Sequence, residues 1–266
     1  MNSLLALMLF ATSLQVRDGD VRQPLTNEER AWRELIASRV ETWPSFVEKL
    51  AVPYDPAPAP ERVTIVISNS GARDAFTIDA QTIGFDVAKL HAAYGDARSD
   101  ENRDRIDRLF RHEFAHLLQK SWLRTHPYDA ATIFNSALLG VWLEGLGNYH
   151  SMSDRWRGDS TIAAETLKKL EPRFAARMAA LACATPDGAK ALMADMNETR
   201  FEEKWGGLTL ALWIEAEMRT DADAYRKLIV AGPDAIPAMA KRHLSTELAS
   251  VMAETLNAAQ RCGANP

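Results

Sequence analysis

Cysteine is scarce in this chain, with two in 266 residues, Cys183 and Cys262. Their spacing fits no cysteine-based metal pattern, so any metal site must be built from other side chains. Whether they pair depends on the compartment, which the sequence leaves open. A basic stripe with interleaved aromatics is missing as well. The 31 Lys and Arg are outweighed by 36 Asp and Glu, for a net charge of −5. That balance argues against a nucleic-acid partner and is silent on substrate class. No apolar run is long enough to span a bilayer, so no stable membrane span is expected. Internal repeats are lacking, and the Pro/Ala connector in "YDPAPAPE" (54–61) is the sole low-complexity tract. What is present is 47% hydrophobic residues. That is ample for a sizeable core in one domain or two packed subdomains.

The N-terminus leaves two readings open. In "MNSLLALMLFATSLQ" an apolar stretch from Leu4 to Ala11 precedes a small-residue cleavage site at Ala11-Thr12-Ser13. A secretory signal also wants a positive start, and there is no Lys or Arg before Arg17. Residues 1–25 are therefore read as a signal peptide or as an N-terminal core helix. The first makes the protein secreted or periplasmic, the second cytoplasmic.

Further along, Thr26 to Leu50 reads as one helix. Thr26 and Glu29 form a capping box, and Trp32, Ile36, Val40, Trp43, Val47 and Leu50 recur at helical spacing. The β-branched run "RVTIVIS" (62–68) predicts a strand, and 75–87 predicts one or two more. "DVAKLHAAYG" is a short helix or turn. Residues 99–120 form a strong helix, capped by Ser99 or Asp100, with the charged run 100–111 on its solvated side. "SWLRTHPYD" (121–129) reads as a loop, and 130–150 as a second apolar helix. Beyond it the spacing predicts helices over 161–170, 172–183, 189–197, 208–219, 222–230 and 246–258. Trp32, Trp43 and Trp213 are expected in the core, and Trp142, two residues before Glu144, behind the site. The expected fold class is α+β, with a strand-containing N-terminal part that carries the 99–120 helix and a mostly helical C-terminal part. The expected organisation is residues 1–25, a catalytic part at 26–150, and a helical subdomain at 151–266.

Six histidines are available, and two of them fall in "RHEFAHLLQK" (111–120). His112 and His116 are one helical turn apart, so their imidazoles share a face and can grip one small ion without backbone strain. Zinc accepts neutral imidazole and carboxylate in a tetrahedral site. Glu113 borders that face, where it reaches a water on the metal rather than the metal itself. A third ligand is needed, and Glu144, His126 and His150 are the candidates. Glu144 is favoured, because a lone carboxylate in the apolar "VWLEGLGNYH" is costly unless paired or metal-bound. A salt bridge to Arg111 or Arg124 is its plainer alternative. Gly140, Gly145 and Gly147 fit close helix approach there, or plain helix packing.

"HEFAH" followed by "WLEGLGNY" resembles the glutamate-type zinc peptidases, the gluzincins, and most of all the peptidase-MA-like bacterial families. The matches cover about residues 100–150. The resemblance implies a zincin-like fold, Zn2+ on His112, His116 and Glu144, Glu113 as catalytic base, and a peptide or protein substrate. Thermolysin-like relatives hold the first histidine with a carboxylate four residues after the glutamate ligand. Asn148 stands there in this chain, and its amide oxygen is expected to accept from the imidazole. Twenty-seven residues separate His116 from Glu144, somewhat more than in the best-known members, with the excess assigned to the 121–129 loop. Gln119 and Trp122 occupy positions where metzincins need Gly and His, which excludes that class. Gluzincins align substrate along an edge strand, for which "TIDAQTIGF" (77–85) is the candidate. They also stabilise the oxyanion with a Tyr or His. Tyr149 and His150 are the candidates that follow the Glu144 helix, with Tyr128 and Tyr225 also available. The competing reading is a zinc-binding domain without peptidase activity that serves as a binding or regulatory module.

Overall fold

The structure is a computed structural model that describes residues 12–19, 23–197 and 200–263. The chain divides into two compact units, Met1–Trp122 and Leu123–Pro266. An N-terminal part with strands and the HExxH helix is followed by a mostly helical part, which is an α+β, zincin-like arrangement.

The first unit holds a four-stranded sheet of β1 (Ser13–Asp18), β2 (Arg62–Ser68), β3 (Ala75–Thr77) and β4 (Thr82–Asp86). Its order is β1-β2-β4-β3. β1 and β4 run parallel to β2, while β3 pairs antiparallel with β4 through Ala75–Phe85, Phe76–Gly84 and Thr77–Ile83. The central strands β2 and β4 are mostly buried, as strands covered on both faces are. β3 is an edge strand.

Helices α1 (Asn27–Val40), α2 (Pro44–Ala51), α3 (Val87–Tyr94) and α4 (Asp100–Thr125) complete this part. The capping box of Thr26 and Glu29 starts α1. Asp86 caps α3 by accepting from Lys89 N at 3.0 Å. Trp43 stacks on Phe110 with ring centroids 4.1 Å apart, and Phe110 in turn on Phe114. Asp107 accepts from Arg39 Nε at 2.9 Å and from Trp43 Nε1 at 2.8 Å. That network fixes the face of α4 that the core covers.

The second unit is helical among the described residues: α5 (Ile133–Ser151), α6 (Thr161–Leu181), α7 (Pro186–Asn197), α8 (Gly207–Met218), α9 (Ala224–Ala231), α10 (Ala235–His243) and α11 (Thr246–Gly263). α5 and α8 pack most extensively. Trp142, Phe174, Trp205 and Trp213 are fully buried in it. Cys183 and Cys262 form a disulfide that ties the end of α6 to α11.

Several expectations are corrected. Residues 13–18 are a strand, so no N-terminal helix runs through them; residues 1–11 lie outside the described residues. The 26–50 helix is two helices, because Pro44 starts a new one at its first turn. Conversely, Pro172 sits inside α6 without ending it. Ser121 to Thr125 belong to α4 and not to a loop: Trp122 is buried edge-on to Tyr54, and Ser121 Oγ donates to Pro58 O at 2.7 Å. Asp107 is buried and paired, so the 100–111 run is not uniformly solvated. Of the 77–85 segment, Thr77 alone belongs to the edge strand β3, while Thr82–Phe85 lie on the internal strand β4. α10 was not foreseen. Among the described residues no helix is long and apolar enough to cross a membrane.

Candidate metal centre

The site begins with α4. Ser99 Oγ accepts from Asn102 N at 3.2 Å and caps the helix. Ion pairs at i,i+4, Arg108 to Asp104 and Arg105 to Glu101, support its first turns. Phe110, Phe114, Leu117 and Leu118 bury its apolar side, which fixes the rotation of the face carrying the histidines.

On that face the Nε2 atoms of His112 and His116 stand 3.0 Å apart. The rings meet edge to face, with centroids 4.6 Å apart. The ligand atoms of His112, His116 and Glu144 all lie within 4.8 Å of one another. A tetrahedral zinc with bonds of about 2.0–2.2 Å holds its ligand atoms roughly 3.3–3.5 Å apart. Two neighbouring imidazole nitrogens plus a carboxylate make a donor set that fits zinc. The geometry is that of a zinc-binding site of the HExxH-plus-Glu kind and matches gluzincin architecture. It supports a zinc-dependent catalytic mechanism, and a zinc-peptidase-like enzyme, over the inactive alternative. His126 and His150 are not in the group, which leaves Glu144 as the third member.

Glu113 is 7% exposed. A carboxylate so buried needs a donor, and Thr77 Oγ1 supplies one to Glu113 Oε2 at 2.8 Å. Thr77 is the last residue of β3, so the edge strand and the glutamate meet. His116 Nδ1 has its own partner, Gln119 Oε1, at 2.7 Å. Neither Thr77 nor Gln119 was singled out for this from sequence. The available clue to Gln119 was a polar residue at i+3 from a ligand, set among Leu117, Leu118 and Trp122. Thr77 offered none beyond its strand.

Glu144 sits in the middle of α5, where α8 comes very close. A Cβ on Gly207 would lie 2.4 Å from Asn148 Nδ2 and 2.8 Å from Glu144 Cβ. A Cβ on Gly145 would lie 2.4 Å from Leu210 Cδ2. The nearest neighbours of Gly140 are Met193 and Met196 of α7. The close approach at Gly140 and Gly145 is therefore with α7 and α8. Asn148 is 1% exposed and lies against Gly207, with Nδ2 lacking a hydrogen-bond partner.

Past Glu144 on the same helix, His150 Nε2 lies 2.8 Å from Tyr225 Oη. The Tyr149, His150 and Tyr225 rings cluster, with centroids 4.9–5.3 Å apart. Arg157 lies over the Tyr149 ring, donates to Tyr149 O at 2.8 Å and pairs with Glu215. Burial pushes the Tyr149 phenol above its ordinary pKa, so it stays a proton donor at neutral pH. Tyr128 is elsewhere engaged, donating to Asp234 at 3.3 Å. No protein-family model, curated protein or solved structure matches the chain.

Proposed function

We propose that this chain is a zinc-dependent peptidase that hydrolyses peptide bonds with Glu113 as general base. The observation that carries the reading is the convergence of His112, His116 and Glu144 within 4.8 Å, with a buried glutamate directly after the first histidine. His112, His116 and Glu144 would hold the metal. When bound, zinc polarises a carbonyl and acidifies a nearby water. Glu113 takes the proton as the water attacks and passes it to the departing amine. The Thr77 hydroxyl keeps the Glu113 carboxylate oriented for that transfer.

An extended peptide is the substrate form the sheet suits. β3 pairs only with β4 among the described residues, so its outer row of backbone groups can take a further strand. A substrate bound along it would run past Thr77 and hence past Glu113. Tyr149 and His150 are proposed as donors to the oxyanion.

The test is direct. Purified protein should carry about one zinc per chain and cleave members of a peptide library. Glu113→Gln should keep the zinc and lose cleavage by at least about 100-fold. Undiminished cleavage by that variant sinks the mechanism. In the same assay, Tyr149→Phe and His150→Gln identify the oxyanion donor by a fall in kcat with KM kept. Full activity in both removes them from the reaction.

A further inference from the structure

Gln119 has the geometry of a residue that decides how His116 binds metal. Its side chain is fully buried, on a helix where Leu117, Leu118 and Trp122 are buried as well. A buried carboxamide is retained only where its groups are matched, so its direction is determined by its partners. Its Oε1 lies 2.7 Å from His116 Nδ1. A carboxamide oxygen only accepts, so the proton of the neutral imidazole must reside on Nδ1. The other nitrogen, Nε2, is then the one with a lone pair. It is also the atom that faces His112 Nε2 at 3.0 Å. The chain thus fixes, before any metal arrives, which nitrogen is available and where it points.

From this we infer that Gln119 is a positioning residue for the metal centre, holding His116 in the Nδ1–H tautomer and so setting zinc affinity. The inference rests on the zinc-site reading and deepens it. Two alternatives are set apart by chemistry. A glutamine that merely fills space would be replaced by methionine without loss of metal. A glutamine turned the other way would donate to Nδ1 and leave an N–H on Nε2 aimed at the ligand set. Glutamate cannot play that second part, since an ionised carboxylate has no donor.

The experiment measures zinc affinity by competition with a chromophoric chelator, with no substrate present. Gln119→Met should weaken zinc binding about 10- to 100-fold, the usual cost of losing an outer partner of a ligand histidine. Gln119→Glu should bind zinc at least as tightly as wild type, because a charged acceptor raises the basicity of the ring. Nitrogen-15 NMR of zinc-free wild type, at alkaline pH where histidine is neutral, should find His116 protonated on Nδ1. Gln119→Met within about threefold of wild type, a weakened Gln119→Glu, or an Nε2–H tautomer each overturns the proposal. If Gln119→Met does not fold, the glutamate variant and the wild-type tautomer decide. Failure of the wild type itself to bind zinc overturns the zinc-site reading, whereas zinc-tight wild type with unaffected variants overturns the role of Gln119 alone.

Discussion

At the scale of single residues, the site depends on short polar contacts to groups that would otherwise be mis-set. The Thr77 hydroxyl on Glu113 is one of them. A hydrogen bond to a charged group contributes about 1.5–3 kcal/mol. If the reaction draws on that orientation, Thr77→Val should lower kcat about 10- to 100-fold with KM little changed. Valine keeps the shape and the strand preference of threonine, so β3 should persist. Thr77→Ser should restore most of the rate, and zinc content should be unaffected in both. Full kcat in the valine variant would show that Glu113 is oriented by other means. His112, Glu113 and His116 were legible in the sequence because a five-residue spacing on one helix encodes their geometry. Glu144 was legible because an acid inside an apolar helix asks for a partner. Thr77 and Gln119 were not, since a hydroxyl or an amide has many ordinary uses. Which use applies depends on a neighbour: 36 residues away for Thr77, and a particular rotamer for Gln119. The proximity of Asn148 to Gly207 was not legible either, because Gly207 belongs to a helix far along the chain.

At the scale of elements, the same residue type acts in opposite ways. Pro44 begins α2, where the missing N–H would have had no intrahelical partner. Pro172 lies within α6 and costs about 3 kcal/mol there. The burial of Leu170, Phe174, Ala175, Met178 and Leu181 along that helix offsets it. Local rules cannot see that burial, which is why sequence reading broke the helix. β1 escaped it for a related reason: five of its six residues are exposed, so no alternation marks it, and its partner β2 is distant in sequence. The α5–α8 contact bears directly on the metal centre. α8 begins at Gly207, against Glu144 and Asn148. Gly207→Ala should force α8 off α5 and shift Glu144, at a cost of about 1–3 kcal/mol. Zinc affinity and Tm should fall together. Gly140→Ala is the control, since its nearest neighbour is the flexible Met193 Cε at 3.2 Å. It should change stability by no more than about 1 kcal/mol, with some gain from helix propensity. Equal behaviour of the two variants in thermal melts and zinc titrations would separate Gly207 from the placement of Glu144.

At the scale of the whole molecule, the one covalent link beyond the backbone lies within the helical second unit. The Cys183–Cys262 disulfide spans 79 residues of sequence. That loop contains α7, α8, α9 and α10, and therefore the helix that backs Glu144. Closing a loop of that length removes much of the freedom of the unfolded chain. The stabilisation is about 2–5 kcal/mol for bonds of this kind. Disulfides in general persist under oxidising conditions and are lost under reducing ones. The consequence is separable by unit. Reduction, or the Cys183→Ser and Cys262→Ser double variant, should lower the melting temperature of the second unit by about 5–15 °C. Melting of the first unit, read from the buried Trp32 and Trp43 against the second unit's Trp142, Trp205 and Trp213 by site-specific fluorescence, should move less. Zinc affinity should also weaken on reduction, because Glu144 depends on the packing of α5 and α8 while both histidines lie on α4. Calorimetry with and without reductant, alongside chelator competition, checks both effects. An unchanged melting profile after complete reduction would mean that helix packing alone holds the second unit, and that the disulfide does not set the rigidity of the metal centre.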